Sequence, residues 1–161
     1  MSSLSAVVAA LAGVLVTGCS SAPPSPAAPS SDPEPVASNA SPSDSTRIRI
    51  VVGDVQLMGR LFDNSAATDL KALLPVTLNF ADLNGVEKTA PLPRKLAVDG
   101  MPDGDDPRVG DLGYWSPDGD LVIYYGDVGY WRGISRIGEV DGDIPAVLRN
   151  AGEFSATVES A

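Results

Sequence analysis

From residue 47 onward the chain keeps returning to one pattern. A short run rich in β-branched and aromatic residues alternates polar and apolar, then breaks at Gly, Asp, Asn or Pro. Side chains alternate between the two faces of a strand, so runs of about 4–8 such residues describe strands with one buried face. Residues 47–52 and 55–62 flank Gly53-Asp54 and predict a hairpin. Residues 76–80, 111–115, 121–125, 134–140 and 153–159 read as further strands, and Asn84-Gly85 as a tight turn between two of them. Residues 90–94 (Ala-Pro-Leu-Pro-Arg) are too rich in proline for a central strand and belong at an edge or in a loop. Residues 99–110 read as a long Asp/Gly/Pro loop.

Only two helices fit between these runs. Asn64 or Ser65 can cap the first, with Ala66, Leu70, Leu73 and Leu74 on one face and Pro75 as its stop. Asp143 can cap the second, which runs through Leu148 with Pro145 in its first turn. Many short strands with so little helix predict a closed barrel rather than a parallel sheet crossed by helices.

The first 46 residues are of another kind. Residues 4–17 carry no charge and are rich in Ala, Val and Leu, the length and composition of a secretory signal core and too short for a spanning helix, which needs about 20 residues. They lead into Val16-Thr17-Gly18-Cys19, where a small residue precedes the chain's one cysteine. That is the pattern of a lipoprotein signal. It predicts a signal peptide over 1–18, lipidation of Cys19, and anchoring at the extracytoplasmic face of the cell membrane. Two or more acyl chains on one residue satisfy the need for about two membrane signals. Met1 to Leu4 lacks the basic residue such signals carry; a start upstream would restore one. Residues 19–46 hold seven of the fourteen prolines, no aromatic residue and many Ser and Ala. Such a segment buries too little surface to offset the entropy of ordering, and predicts a disordered tether to a domain over 47–161.

Charge and missing residue types exclude whole classes of chemistry. The domain carries eighteen acids against eleven bases, with no basic patch, so a phosphate backbone would be repelled and no nucleic-acid partner is expected. There is no histidine, and a lipidated Cys19 would leave the domain without a thiol; redox catalysis and thiolate metal sites are excluded, and no cofactor is expected. Asp99, Asp103, Asp105, Asp106, Asp111, Asp118 and Asp120 lie close together among Gly and Pro. Their spacing matches no EF-hand loop, so they read as turn formers and no metal site is assigned, with an oxygen-ligated Ca²⁺ as the competing reading. Tyr114-Trp115, Tyr124-Tyr125 and Tyr130-Trp131-Arg132 concentrate the aromatic residues on one stretch. Neighbours on a strand face opposite ways, so one member of each pair can enter the core while the other faces out. Tyr130 and Trp131, with Arg132 as an anionic anchor, are the candidate ligand-binding residues.

The order of pieces resembles the bacterial cyclophilin-like domain family. They are Leu61-Phe62-Asp63-Asn64-Ser65-Ala66-Ala67, Leu73-Leu74-Pro75, Glu87-Lys88, Leu92-Pro93-Arg94-Lys95-Leu96, Val109-Gly110-Asp111, Ser116-Pro117-Asp118-Gly119-Asp120-Leu121 and Ser135-Arg136-Ile137-Gly138. The resemblance implies an all-β fold, a closed β-barrel with two short helices shared with peptidyl-prolyl isomerases. It implies no established activity. In isomerases of this fold an arginine in a Phe-His-Arg run is aimed at the substrate amide; the nearest counterpart is Arg94, preceded by neither Phe nor His, and residues 109–111 lack the glutamine of the supporting strand. Arg94 is therefore the candidate catalytic residue under one reading, a prolyl isomerase for secreted proteins. Under the preferred reading the domain is a membrane-anchored binding module for an extended peptide or a small molecule.

Overall fold

A computed structural model describes residues 45–161; the signal segment, Cys19 and the tether up to residue 44 lie outside the described residues. Eight strands close into an antiparallel barrel. In chain order the strands are β1 (Arg47–Val52), β2 (Val55–Leu61), β3 (Val76–Leu83), β4 (Glu87–Pro91), β5 (Gly104–Asp105), β6 (Asp111–Trp115), β7 (Asp120–Tyr124), β8 (Trp131–Arg132), β9 (Ile134–Val140) and β10 (Phe154–Ser160). Around the barrel they run β1-β10-β3-β4-β7-β6-β9-β2, and β5 and β8 form a separate two-stranded ribbon. Closure leaves no sheet edge in the barrel, the hazard an all-β domain must otherwise cover.

The alternation read from the sequence becomes the barrel's inside and outside. Ile48 and Ile50 of β1, Leu78 and Phe80 of β3, Leu112 and Tyr114 of β6, Leu121 and Ile123 of β7, and Ala156 and Val158 of β10 are all buried in one core. Gly53-Asp54 joins β1 to β2, with Val52 facing Val55. The Asn84-Gly85 turn has φ of 56° and 69°, the left-handed pair that this tight hairpin turn needs and that Asn and Gly supply at least cost. Helix α1 (Ser65–Lys71) is capped by the Asn64 side chain, which accepts from the Ala67 amide at 2.9 Å. It ends before Leu73 and Leu74, whose amides bond back to the Leu70 and Lys71 carbonyls in tighter turns. Both leucines still pack on the core. Helix α2 (Ile144–Leu148) starts from Asp143, as its sequence predicts, and buries Ile144 and Leu148.

Two segments differ from the reading of the sequence. Ala90 and Pro91 belong to β4, inside the closed barrel rather than outside it. The physical reason is local: β3 pairs with β4 only from Thr89 back to Glu87, while β7 pairs with all of β4. Pro91 thus has a strand on one side only, where a missing N–H costs nothing. Residues 99–110 are not a plain loop, because Gly104 and Asp105 pair with Arg132 and Trp131. A strand of two residues has no period to detect. Gly104 is required there, since a Cβ would collide with the Trp131 carbonyl.

Candidate ligand groove

The aromatic pairs split as strand alternation demands. Tyr114 and Tyr125 enter the main core, and the Tyr114 hydroxyl accepts the Leu96 amide at 3.0 Å. Their neighbours Trp115 and Tyr124 face outward and join Val122, Ile134 and Val128 in a second apolar cluster. Tyr124 lies across β6 where Gly113 leaves room; a Cβ there would stand 2.5 Å from the Tyr124 ring. The tyrosine's pKa is pushed up, first by burial and then by Glu87 and Asp111.

This second cluster is the floor of a groove of about 460 Å³ on the outside of β4, β6 and β7. The β3–β4 turn forms one wall through Leu83, Asn84 and Val86; Trp115, Val128 and Trp131 form the other. Both indoles are held in place: Trp115 Nε1 donates to Asp118 at 3.0 Å, and Trp131 Nε1 donates to the Val128 carbonyl at 3.0 Å. Rings fixed before a ligand arrives lose little freedom on binding. The β5–β8 ribbon carries Trp131 to the groove, so the residues at 104–105 position a wall they do not line.

The candidate residues part company here. Trp131 lines the groove; Tyr130 and Arg132 do not. Successive residues of β8 face opposite ways, and Arg132 turns outward to Asp103 at 2.9 Å, with both side chains largely exposed. Tyr130 is also exposed. Arg94 is elsewhere, gripped by Asp69 of α1 through two hydrogen bonds of 2.6 and 2.7 Å. That grip, with the Ala97 amide, holds the Asp69 carboxyl down at about 2. The groove's other contributors, Trp115, Val122, Tyr124 and Glu87, sit on three different strands, and no spacing along the chain announces their meeting.

Four of the crowded aspartates serve individual contacts. Asp111 is buried, accepts the Arg108 amide at 2.6 Å and holds Arg136 by bonds of 2.5 and 3.1 Å. Asp118 holds an indole, Asp103 an arginine and Asp105 the Asp106 amide. Among the described residues no group of three or more His, Cys, Asp and Glu side chains is arranged to hold a metal ion.

An antiparallel eight-stranded barrel with two short helices and an apolar external groove defines a cyclophilin-like barrel protein. The chain belongs to the Cyclophilin-like family, which it matches over residues 50–159. The solution structure of the hypothetical protein AF2241 from Archaeoglobus fulgidus is similar, with a TM-score of 0.53 at 16% identity, over 73% of this chain and 95% of that one. At that identity the likeness is one of fold. No curated protein matches the chain.

Proposed function

We propose that this protein is a lipid-anchored module at the extracytoplasmic face of the membrane, whose groove holds an extended peptide without turning it over. The observation that carries this reading is the groove itself: fixed indoles at Trp115 and Trp131 beside an apolar floor of Val122 and Ile134. Large aromatic surfaces that order little on binding are the usual anchors of peptide recognition. The isomerase reading lacks its key part. No arginine lines the groove, and Arg94 is committed to Asp69. The anchor rests on the run ending in Cys19.

The full chain, titrated calorimetrically with the capped peptide Gln-Ala-Phe-Pro-Ala-Gln, is expected to bind it with a Kd of about 0.1–1 mM. Trp131→Ala should weaken binding about tenfold or more while leaving the melting temperature nearly unchanged, because its side chain is 60% exposed as a residue. Full affinity in Trp131→Ala would overturn the groove reading. Acceleration of Xaa-Pro isomerisation that disappears in Arg94→Ala would establish an enzyme instead. In cells, Cys19→Ala should move the protein from the membrane to the soluble fraction; membrane retention would remove the anchor from the proposal.

A further inference from the structure

The groove is one-sided in charge. Its ionisable side chains besides Tyr124 are Glu87, Asp118 and Asp120, and no lysine or arginine lines it. The cations near the groove are occupied elsewhere: Lys88, next to Glu87, is buried against Asp82, Lys95 donates to the Pro117 carbonyl at 2.8 Å, and Arg132 pairs with Asp103. Burial raises the pKa of Glu87, and burial together with Asp118 raises that of Asp120. Both carboxylates therefore gain from an incoming positive charge that neither now has. Trp115 and Trp131 line the groove beside them, and aromatic rings are the other favourable partner for a cation.

We propose that the occupant is an extended segment of another protein carrying lysine or arginine beside an apolar side chain. The apolar side chain rests on Val122 and Ile134, and the cation reaches Glu87, Asp118 and Asp120 past the indole edges. This rests on the groove being a peptide site, and adds which peptides it selects. Charge complementarity argues for such a partner over the chain's own segments. The residues at 19–46 contain Asp32, Glu34 and Asp44 and no base, and a second copy presents the same acidic domain. Both would be repelled by a groove walled with carboxylates.

The test uses the full chain and three capped peptides that differ only at their ends: Lys-Ala-Phe-Pro-Ala-Lys, its Gln-ended match and its Glu-ended match. The Lys peptide is expected to bind about tenfold tighter than the Gln peptide, equivalent to about 1.4 kcal/mol, and the Glu peptide more weakly than either. The advantage should shrink as salt rises from about 0.01 M to about 1 M, where the screening length falls to about 3 Å. The triple variant Glu87→Gln, Asp118→Asn, Asp120→Asn should lose the preference and bind the Lys and Gln peptides alike, and a urea midpoint near that of the parent shows that it folds. Equal binding of the Lys and Gln peptides would overturn the charge selection and leave the peptide groove standing. A Lys preference that survives in the triple variant would overturn the assignment to these carboxylates. No binding of any peptide would overturn the groove reading and this inference with it.

Discussion

Lys88→Ala is expected to destabilise the domain by about 3–5 kcal/mol, read as a lowered urea midpoint with little change in slope. Lys88 lies on β4 with only 1% of its surface exposed, two residues before Ala90 of the largely apolar core. A buried ammonium is tolerable only if each of its donors finds an acceptor. Three are present: Asp82 of β3 at 2.9 Å, the Gly152 carbonyl at 3.3 Å and the Ala151 carbonyl. The cation also stands 5.6 Å from the centre of the Tyr125 ring. Tyr125 donates its hydroxyl to the same Asp82 carboxylate. Burial, then that bond to Asp82, pushes the Tyr125 phenol up to about 12. One side chain thereby ties β3, β4 and the residue that follows β7 to the turn between α2 and β10.

Truncation to alanine leaves a cavity where three methylenes and the ammonium lay and deprives two carbonyls of a donor. Lys88→Met separates these costs. It fills most of the space and removes the ammonium's desolvation along with its bonds, so its loss should be about 1–2 kcal/mol. A Lys88→Ala loss below about 1 kcal/mol would show that water replaces the ammonium at no cost, and the tie would have no role in stability.

The second large effect is expected from Asp111→Ala, about 2–4 kcal/mol by the same measurement. The Asp111 side chain is 5% exposed and Arg136 is 25% exposed, so solvent screens this pair far less than the surface pairs. Asp111 accepts from Arg136 Nε and Nη2 and from the Arg108 amide, fixing the start of β6 against β9. The two strands are irregular in register between Leu112 and Gly113, so backbone bonding there is interrupted and the side-chain clamp bridges the break. Asp111→Asn keeps an acceptor but turns a repelled or weaker partner to the guanidinium, and should recover less than half the loss. Arg60→Ala is the contrasting surface case: its 2.9 Å pair with Glu139 is exposed on both sides and should change stability by less than about 1 kcal/mol. Equal losses for Asp111→Ala and Arg60→Ala would mean that burial gives the Asp111 clamp no special weight.

Much of the barrel was legible along the chain because its cause is local. A strand's alternation is set by the pleat, so the strands over 47–52 and 76–80 could be placed from sequence alone, and Ile48, Ile50, Leu78 and Phe80 form their inner faces. The Asn64 and Asp143 caps and the Asn84-Gly85 turn are likewise fixed by side chains within a few residues. The groove was half legible. The splitting of Tyr114 from Trp115 and of Tyr124 from Tyr125 follows from alternation, and Trp131 was singled out by its neighbours. Arg132 was grouped with it by adjacency in the chain and Arg94 was taken from the family resemblance, and each has an acid nearer to hand in space.

By itself, then, the sequence determined an all-β barrel with two short helices, that neighbouring strand residues part to opposite faces, and a domain without histidine or thiol chemistry. Those follow from periodicity of two, turn residues and composition, all of which act over a few residues or over none. Only the tertiary structure decided that β4 and β7 bring Glu87 and Asp120 to the same groove as Trp131, and that a lone lysine is buried among three acceptors. Both depend on which strands close beside which. Barrel closure sets that order through contacts between residues far apart along the chain, where no local pattern carries the information.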